Sequence, residues 1–101
     1  MGLHDMKTEK VYRKKDEIVA RKIADETILV PIRGKLADMQ RIFSLNPVAE
    51  FIWTHIEKEV PAEKILNLVM DEFDVEEKKA KEDLAALIHD LLAENLIEQV
   101  A

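Results

Sequence analysis

A chain of 101 residues with 36% charged residues, 2 Gly, 3 Pro and no cysteine has room for one helix-rich domain with a single core. The missing cysteines exclude disulfides, thiolate metal sites and cysteine nucleophiles. No apolar run suits a membrane span or signal peptide, which predicts a cytoplasmic protein. Charge is uneven: residues 1–24 hold seven Lys/Arg against four Asp/Glu, and residues 54–101 hold five against thirteen. A basic arm thus precedes an acidic body within a net charge of −6.

Residues 1–15 are polar and read as a flexible basic arm, with the domain proper over 16–101. Residues 17–24 place Val19, Arg21 and Ile23 on one face of a first strand. Asp25-Glu26 is a turn. Residues 27–32 carry the strongest strand signal, with Ile28, Val30 and Ile32 on one face, and Pro31 belongs at an edge, an end or a bulge. Arg33-Gly34-Lys35 breaks the strand, and residues 36–40 form a loop or one helical turn. A third strand over residues 41–45 alternates polar and apolar side chains and turns directly into a helix. Asn46 is positioned to cap it and Pro47 to occupy its first turn.

That first helix extends to about Lys58 and buries Val48, Phe51, Ile52 and Ile56 beside Trp53. It stops before Val60-Pro61, because a residue preceding proline resists the helical conformation. A second helix covers residues 61–73. Asp74 caps a third, from Val75 to about Glu94, with Glu76 and Glu77 in a first turn favoured by the helix dipole. Ala80, Leu84, Leu87, Ile88, Leu91 and Leu92 recur at amphipathic spacing. Asn95 suits the left-handed position that ends a helix, and residues 96–100 close the chain as a short strand. The expected fold is α+β: a winged helix-turn-helix with an N-terminal three-stranded antiparallel sheet, three helices and a short C-terminal strand.

The order of these motifs resembles the PqqD-like family, small proteins named from coenzyme PQQ biosynthesis and related to recognition elements of ribosomal-peptide-modifying enzymes. The resemblance covers residues 19–97. It rests on Ala20-Arg21, Asp25-Glu26-Thr27-Ile28-Leu29-Val30-Pro31, Leu45-Asn46, Ala49, Ile52-Trp53, Glu63-Lys64-Ile65, Phe73-Asp74-Val75, Asp83-Leu84 and Leu96-Ile97. The chain departs from the pattern where Glu57-Lys58-Glu59-Val60-Pro61 replaces an Asp-Gly turn, where Asn95 replaces a glycine, and in a long connection over residues 32–40. The resemblance implies a non-enzymatic protein without a cofactor. Such a protein binds the leader of a precursor peptide as an added strand between the third strand and third helix, and presents it to a radical-SAM or other modifying enzyme.

Strand addition needs a free sheet edge and pockets for alternate side chains. Arg41, Ile42, Phe43, Ser44 and Leu45 supply such an edge. On the third helix Ala80, Leu84, Leu87 and Leu91 cluster, and Ala85, Ile88 and Leu92 widen that apolar stripe to one flank, with Lys81 on the same side. Leu84, Ala85, Ile88 and Leu92 would form a groove wall, while Lys81 with Arg41 would hold acidic residues of the leader. Phe51 and Trp53 read as core residues rather than a stacking pair. His4, His55 and His89 lack metal-ligand spacing, and Ser44, the single serine, has no base linked to it by a recognisable signature. A winged-helix DNA-binding regulator is the rival reading. It wants a basic third helix, yet residues 76–94 carry three Lys against six acids, which a phosphate backbone repels. A structural homodimerisation module, self-pairing through the exposed edge, is a further alternative.

Overall fold

The computed structural model describes residues 10–16, 18–31 and 43–100. Residues 1–9 of the arm, the break and loop expected over 32–40, and the site candidates Arg41 and Ile42 lie outside the described residues. The elements run β1 (Tyr12–Lys14), β2 (Ile18–Ile23), β3 (Glu26–Pro31), β4 (Phe43–Leu45), α1 (Pro47–Glu57), α2 (Ala62–Glu72), α3 (Glu77–Ala93) and β5 (Ile97–Gln99). The fold is α+β, with three helices and a three-stranded antiparallel sheet of order β2-β3-β4.

The strand–turn–helix joint forms as its sequence dictates. The Asn46 carboxamide oxygen accepts from the Ala49 amide at 2.8 Å, and Pro47 occupies the first turn of α1. The next helix differs in detail: Pro61 is its cap residue, and α2 begins at Ala62. The third helix also starts later than expected. Glu76, not Asp74, stands at the cap and makes no side-chain capping bond. Its start therefore relies on the acidic side chains of Glu76 and Glu77 near the positive end of the dipole.

Two helices end in the same motif, and neither uses glycine. At the end of α1 the Glu59 amide donates to the Ile56 carbonyl and the Val60 amide to that of His55, with Glu59 at φ 57°. At the end of α3 the Asn95 amide donates to Leu92 and the Leu96 amide to Leu91, with Asn95 at φ 63°. Both are Schellman caps. The first explains how the chain turns without the Asp-Gly pair that the family pattern carries there.

The β2–β3 hairpin closes over Ala24-Asp25, with Ala24 at φ 57°, and pairs Ile18 with Pro31 through to Ile23 with Glu26. Its core-facing register is set by Ile18, Thr27 and Leu29, all buried, while Ile28 and Val30 are only half-buried on the outer face. β4 continues the sheet through Thr27↔Leu45, Ile28↔Ser44 and Leu29↔Phe43.

The closing strand finds an unexpected partner. β5 pairs antiparallel with β1, Tyr12 opposite Gln99, Arg13 opposite Glu98 and Lys14 opposite Ile97. The Ala62 amide donates to the Lys10 carbonyl at 2.9 Å, tying the start of α2 to the same stretch. The fold therefore reaches back into residues that composition alone assigned to an arm. Only Tyr12 of β1 is buried, so hydropathy gave no sign of it.

Trp53, Ile52, Ile56, Ile65, Val69 and Leu91 are almost wholly shielded and join Ile18, Leu29, Leu45 and Ile97 in one core. Trp53 is thus packing, as its position in α1 requires. Phe51 lies at the core margin, with His55 at 4.5 Å and Phe73 edge-on at 5.4 Å between ring centroids.

Candidate functional site

The sheet order leaves β4 at an edge: β3 pairs with one side, and no described strand pairs with the other. A row of backbone donors and acceptors at such an edge is a template for an incoming strand. Its other contacts anchor β4 in the fold. Leu45 is buried in the core, Phe43 packs against it, and Asn46 locks the exit into α1.

A cavity of about 380 Å³ lies alongside. Its floor and near wall come from Phe43, Ser44, Val48, Ala49 and Ile52, and its far wall from Lys79, Asp83, Ala86, Leu87 and Asp90. Those five positions follow one another at four, three, one and three residues, which is one face of a helix. Lys79 Nζ lies 3.2 Å from both Asp83 carboxylate oxygens. The wall therefore has a neutralised ion pair toward the start of α3, an apolar middle at Ala86 and Leu87, and a carboxylate toward its end.

The site candidates chosen from sequence divide between two places. Phe43 and Ser44 border this groove, while Leu45 faces the core. Lys81, Leu84, Ala85, Ile88 and Leu92 do not line this groove. They line a second hollow, of about 450 Å³, on the other flank of α3, with Lys10, Tyr12, Ala62, Leu66 and His89. Leu84 and Ile88 are buried there at 4% and 8% exposure, so packing against α2 is their first task, whereas Leu92 is 41% exposed. Lys81 pairs with Glu77 at 3.7 Å.

On α3 the groove is also lined by Lys79, Asp83, Ala86 and Asp90, which are not among the sequence candidates: three are charged and one is small, and the sequence reading looks for an apolar wall. Their common helical face was the available signal. Which face of α3 meets β4 is a matter of tertiary packing that periodicity does not encode.

Among the described residues no three His, Asp or Glu side chains come together as a metal site, and no helix is long and apolar enough to cross a membrane.

Residues 26–97 match the family model of coenzyme PQQ synthesis protein D, PqqD. The chain belongs to the PqqD family. The match begins at β3 and ends at the first residue of β5, so it contains β4, α1 and α3 and with them the whole groove. No curated protein matches. Among solved structures, TbiB1 in complex with the TbiA(beta) leader peptide superposes with a TM-score of 0.72 at 25% identity, over 88% of this chain and 98% of its own. A lasso peptide synthetase B1 complexed with the leader peptide superposes equally well, TM-score 0.72 at 20% identity, over 86% of this chain and 96% of its own. The latter likeness is one of fold.

Proposed function

We propose that this PqqD-family protein is a non-enzymatic recognition subunit that binds the leader of a ribosomally made precursor peptide and presents it to a modifying enzyme. The observation that carries the reading is the outer edge of β4, which no described strand occupies, beside the groove wall of α3. An extended guest gains main-chain hydrogen bonds from the edge and seats alternate side chains between Phe43 and Leu87. The solved neighbour TbiB1, whose structure holds a leader peptide, supports the assignment of the guest's class. The partner we favour is a radical-SAM or other peptide-modifying enzyme working in the cytoplasm, in line with a family named from the synthesis of coenzyme PQQ.

The test is a selection followed by a map. A display library of random twelve-residue peptides, panned against the full chain, yields binders, and one of them is titrated into isotope-labelled protein. Amide shifts are expected at Phe43, Ser44, Leu45, Ala86, Leu87 and Asp90. Shifts confined to Lys81, Ala85 and Leu92 would move the guest to the other flank of α3. A library that yields no binder would sink the reading.

A further inference from the structure

The groove's polar groups are not equally available. Lys79 and Asp83 satisfy each other at 3.2 Å, and the Asn46 side-chain oxygen is committed to the Ala49 amide. Asp90 differs: it is exposed, and its carboxylate forms no ion pair or side-chain hydrogen bond with any described residue. It also sits in the last turn of α3, where the negative end of the helix dipole disfavours a carboxylate. Nothing described within the domain compensates this charge, yet it stands on the groove wall next to the apolar seat.

We infer that Asp90 sets the charge of the guest: the groove takes an extended peptide that carries Lys or Arg two residues from its apolar anchor. This rests on the peptide-binding reading above and specifies its substrate class. The spacing follows from the two backbones. α3 rises about 1.5 Å per residue, so Asp90 lies roughly 4.5 Å beyond Leu87 along the helix. On an extended guest, side chains of one face recur about every 6.6 Å, and a Lys or Arg head on its long stem reaches across the remainder. A guest acid at that place would meet a like charge at the dipole's negative end. This differs from the expectation that Lys81 and Arg41 hold acidic leader residues: Lys81 lines the hollow on the other flank of α3, and Arg41 lies outside the described residues. A charge-assisted contact formed as the guest displaces water from the groove is stronger than the same pair on an open surface.

The probe is the same library of random twelve-residue peptides, panned in parallel against the wild-type full chain, Asp90→Asn and Asp90→Lys, with Ala86→Trp as a blocked-groove control. All four proteins are checked for helical circular dichroism. Wild type is expected to enrich Lys or Arg two positions from a bulky apolar residue. Asp90→Asn is expected to lose that bias, and Asp90→Lys to enrich Asp or Glu at the same place, with at least a tenfold change in affinity when selected peptides are exchanged between proteins. An identical charge bias in all three would overturn the inference and leave the peptide-binding reading standing. Folded proteins that enrich nothing beyond the Ala86→Trp control would overturn both.

Discussion

The two flanks of α3 share one helix and differ in what stands across from them. On one side Lys79, Asp83, Ala86, Leu87 and Asp90 line a groove with β4, a strand that, among the described residues, is paired along one edge. On the other, Lys81, Ala85, Ile88 and Leu92 face α2 and a β1 that already pairs with β5 and is tied to α2 through Lys10. The second hollow is the larger and has the more apolar lining. Yet only the first sets a cavity beside an open ladder that continues the main sheet. Oiliness marks packing more often than recognition; an unfilled row of backbone partners marks a place where a strand can be added.

That contrast can be broken most severely at the spine between the flanks. Leu91→Ala removes a side chain with no exposure from the core and is expected to destabilise the fold by about 3 kcal/mol, with both hollows losing their shared support. Chemical denaturation measures the loss. A loss under about 1 kcal/mol would mean that α3 is not seated as described. The sharper test leaves the spine alone and compares two exposed neighbours. Ala86→Trp fills the β4 groove, and Ala85→Trp fills the other hollow. Peptide affinity is expected to fall at least tenfold, about 1.4 kcal/mol, for the first and to stay within twofold for the second, with both melting close to wild type. The reverse ranking would put the guest on the β1 side.

The difference between the flanks is also where sequence reading ran out. The strand–turn–helix joint was legible because Asn46 and Pro47 act locally, and the three helices because their apolar positions recur at the helical period. The broad stripe on α3 was legible as a pattern but not as three surfaces. Ala80, Leu84, Ile88 and Leu91 form the buried spine, of which Leu84 and Ile88 also border the second hollow, and the exposed residues on either side line different cavities. Choosing between those sides needs the packing angle of α3, which depends on every contacting side chain at once. β1 escaped for another reason: Tyr-Arg-Lys is too short and polar to look like a strand, and its partner lies 85 residues away, as Arg13 and Glu98 show. In β3 the alternation was visible, but the apolar Ile28 and Val30 drew attention away from the Thr27 and Leu29 face that meets the core.

A smaller effect probes the turn that delivers α2 to the far flank. Glu59 holds φ 57° at the end of α1, a conformation that a side chain with a Cβ resists. Glu59→Gly should relieve that strain and raise stability by about 1 kcal/mol, less the entropy that glycine adds to the unfolded chain. Asn95→Gly, at the matching point of α3, should gain less, because asparagine tolerates the left-handed region better. Thermal unfolding of both variants ranks them. Equal gains, or a loss at Glu59, would show that the side chain there makes a stabilising contact outweighing the strain.

The smallest expected effect lies in the ribbon that closes the far flank. Arg13 and Glu98 are cross-strand partners, and Arg13 Nε donates to Glu98 Oε2 at 2.8 Å. This hydrogen bond, with the nearby charges of Arg13 and Lys15, holds the Glu98 carboxyl below the usual carboxylate range against the opposing effect of desolvation. A carboxylate held lower in the folded state than in the unfolded chain stabilises the fold above its unfolded pKa, and the contribution fades as pH falls through the folded one. Wild type should therefore exceed Glu98→Gln in stability near neutral pH, and the gap should narrow through the acidic range. Both members are open to solvent, so the gap should also shrink with added salt. Denaturation midpoints for the two proteins across that pH range decide the point. A gap that is flat in both pH and salt would make Glu98 a packing residue of the ribbon rather than an ionic one. Peptide binding in the β4 groove should be indifferent throughout, since the pair stands on the β1–β5 ribbon and borders neither the groove nor its wall.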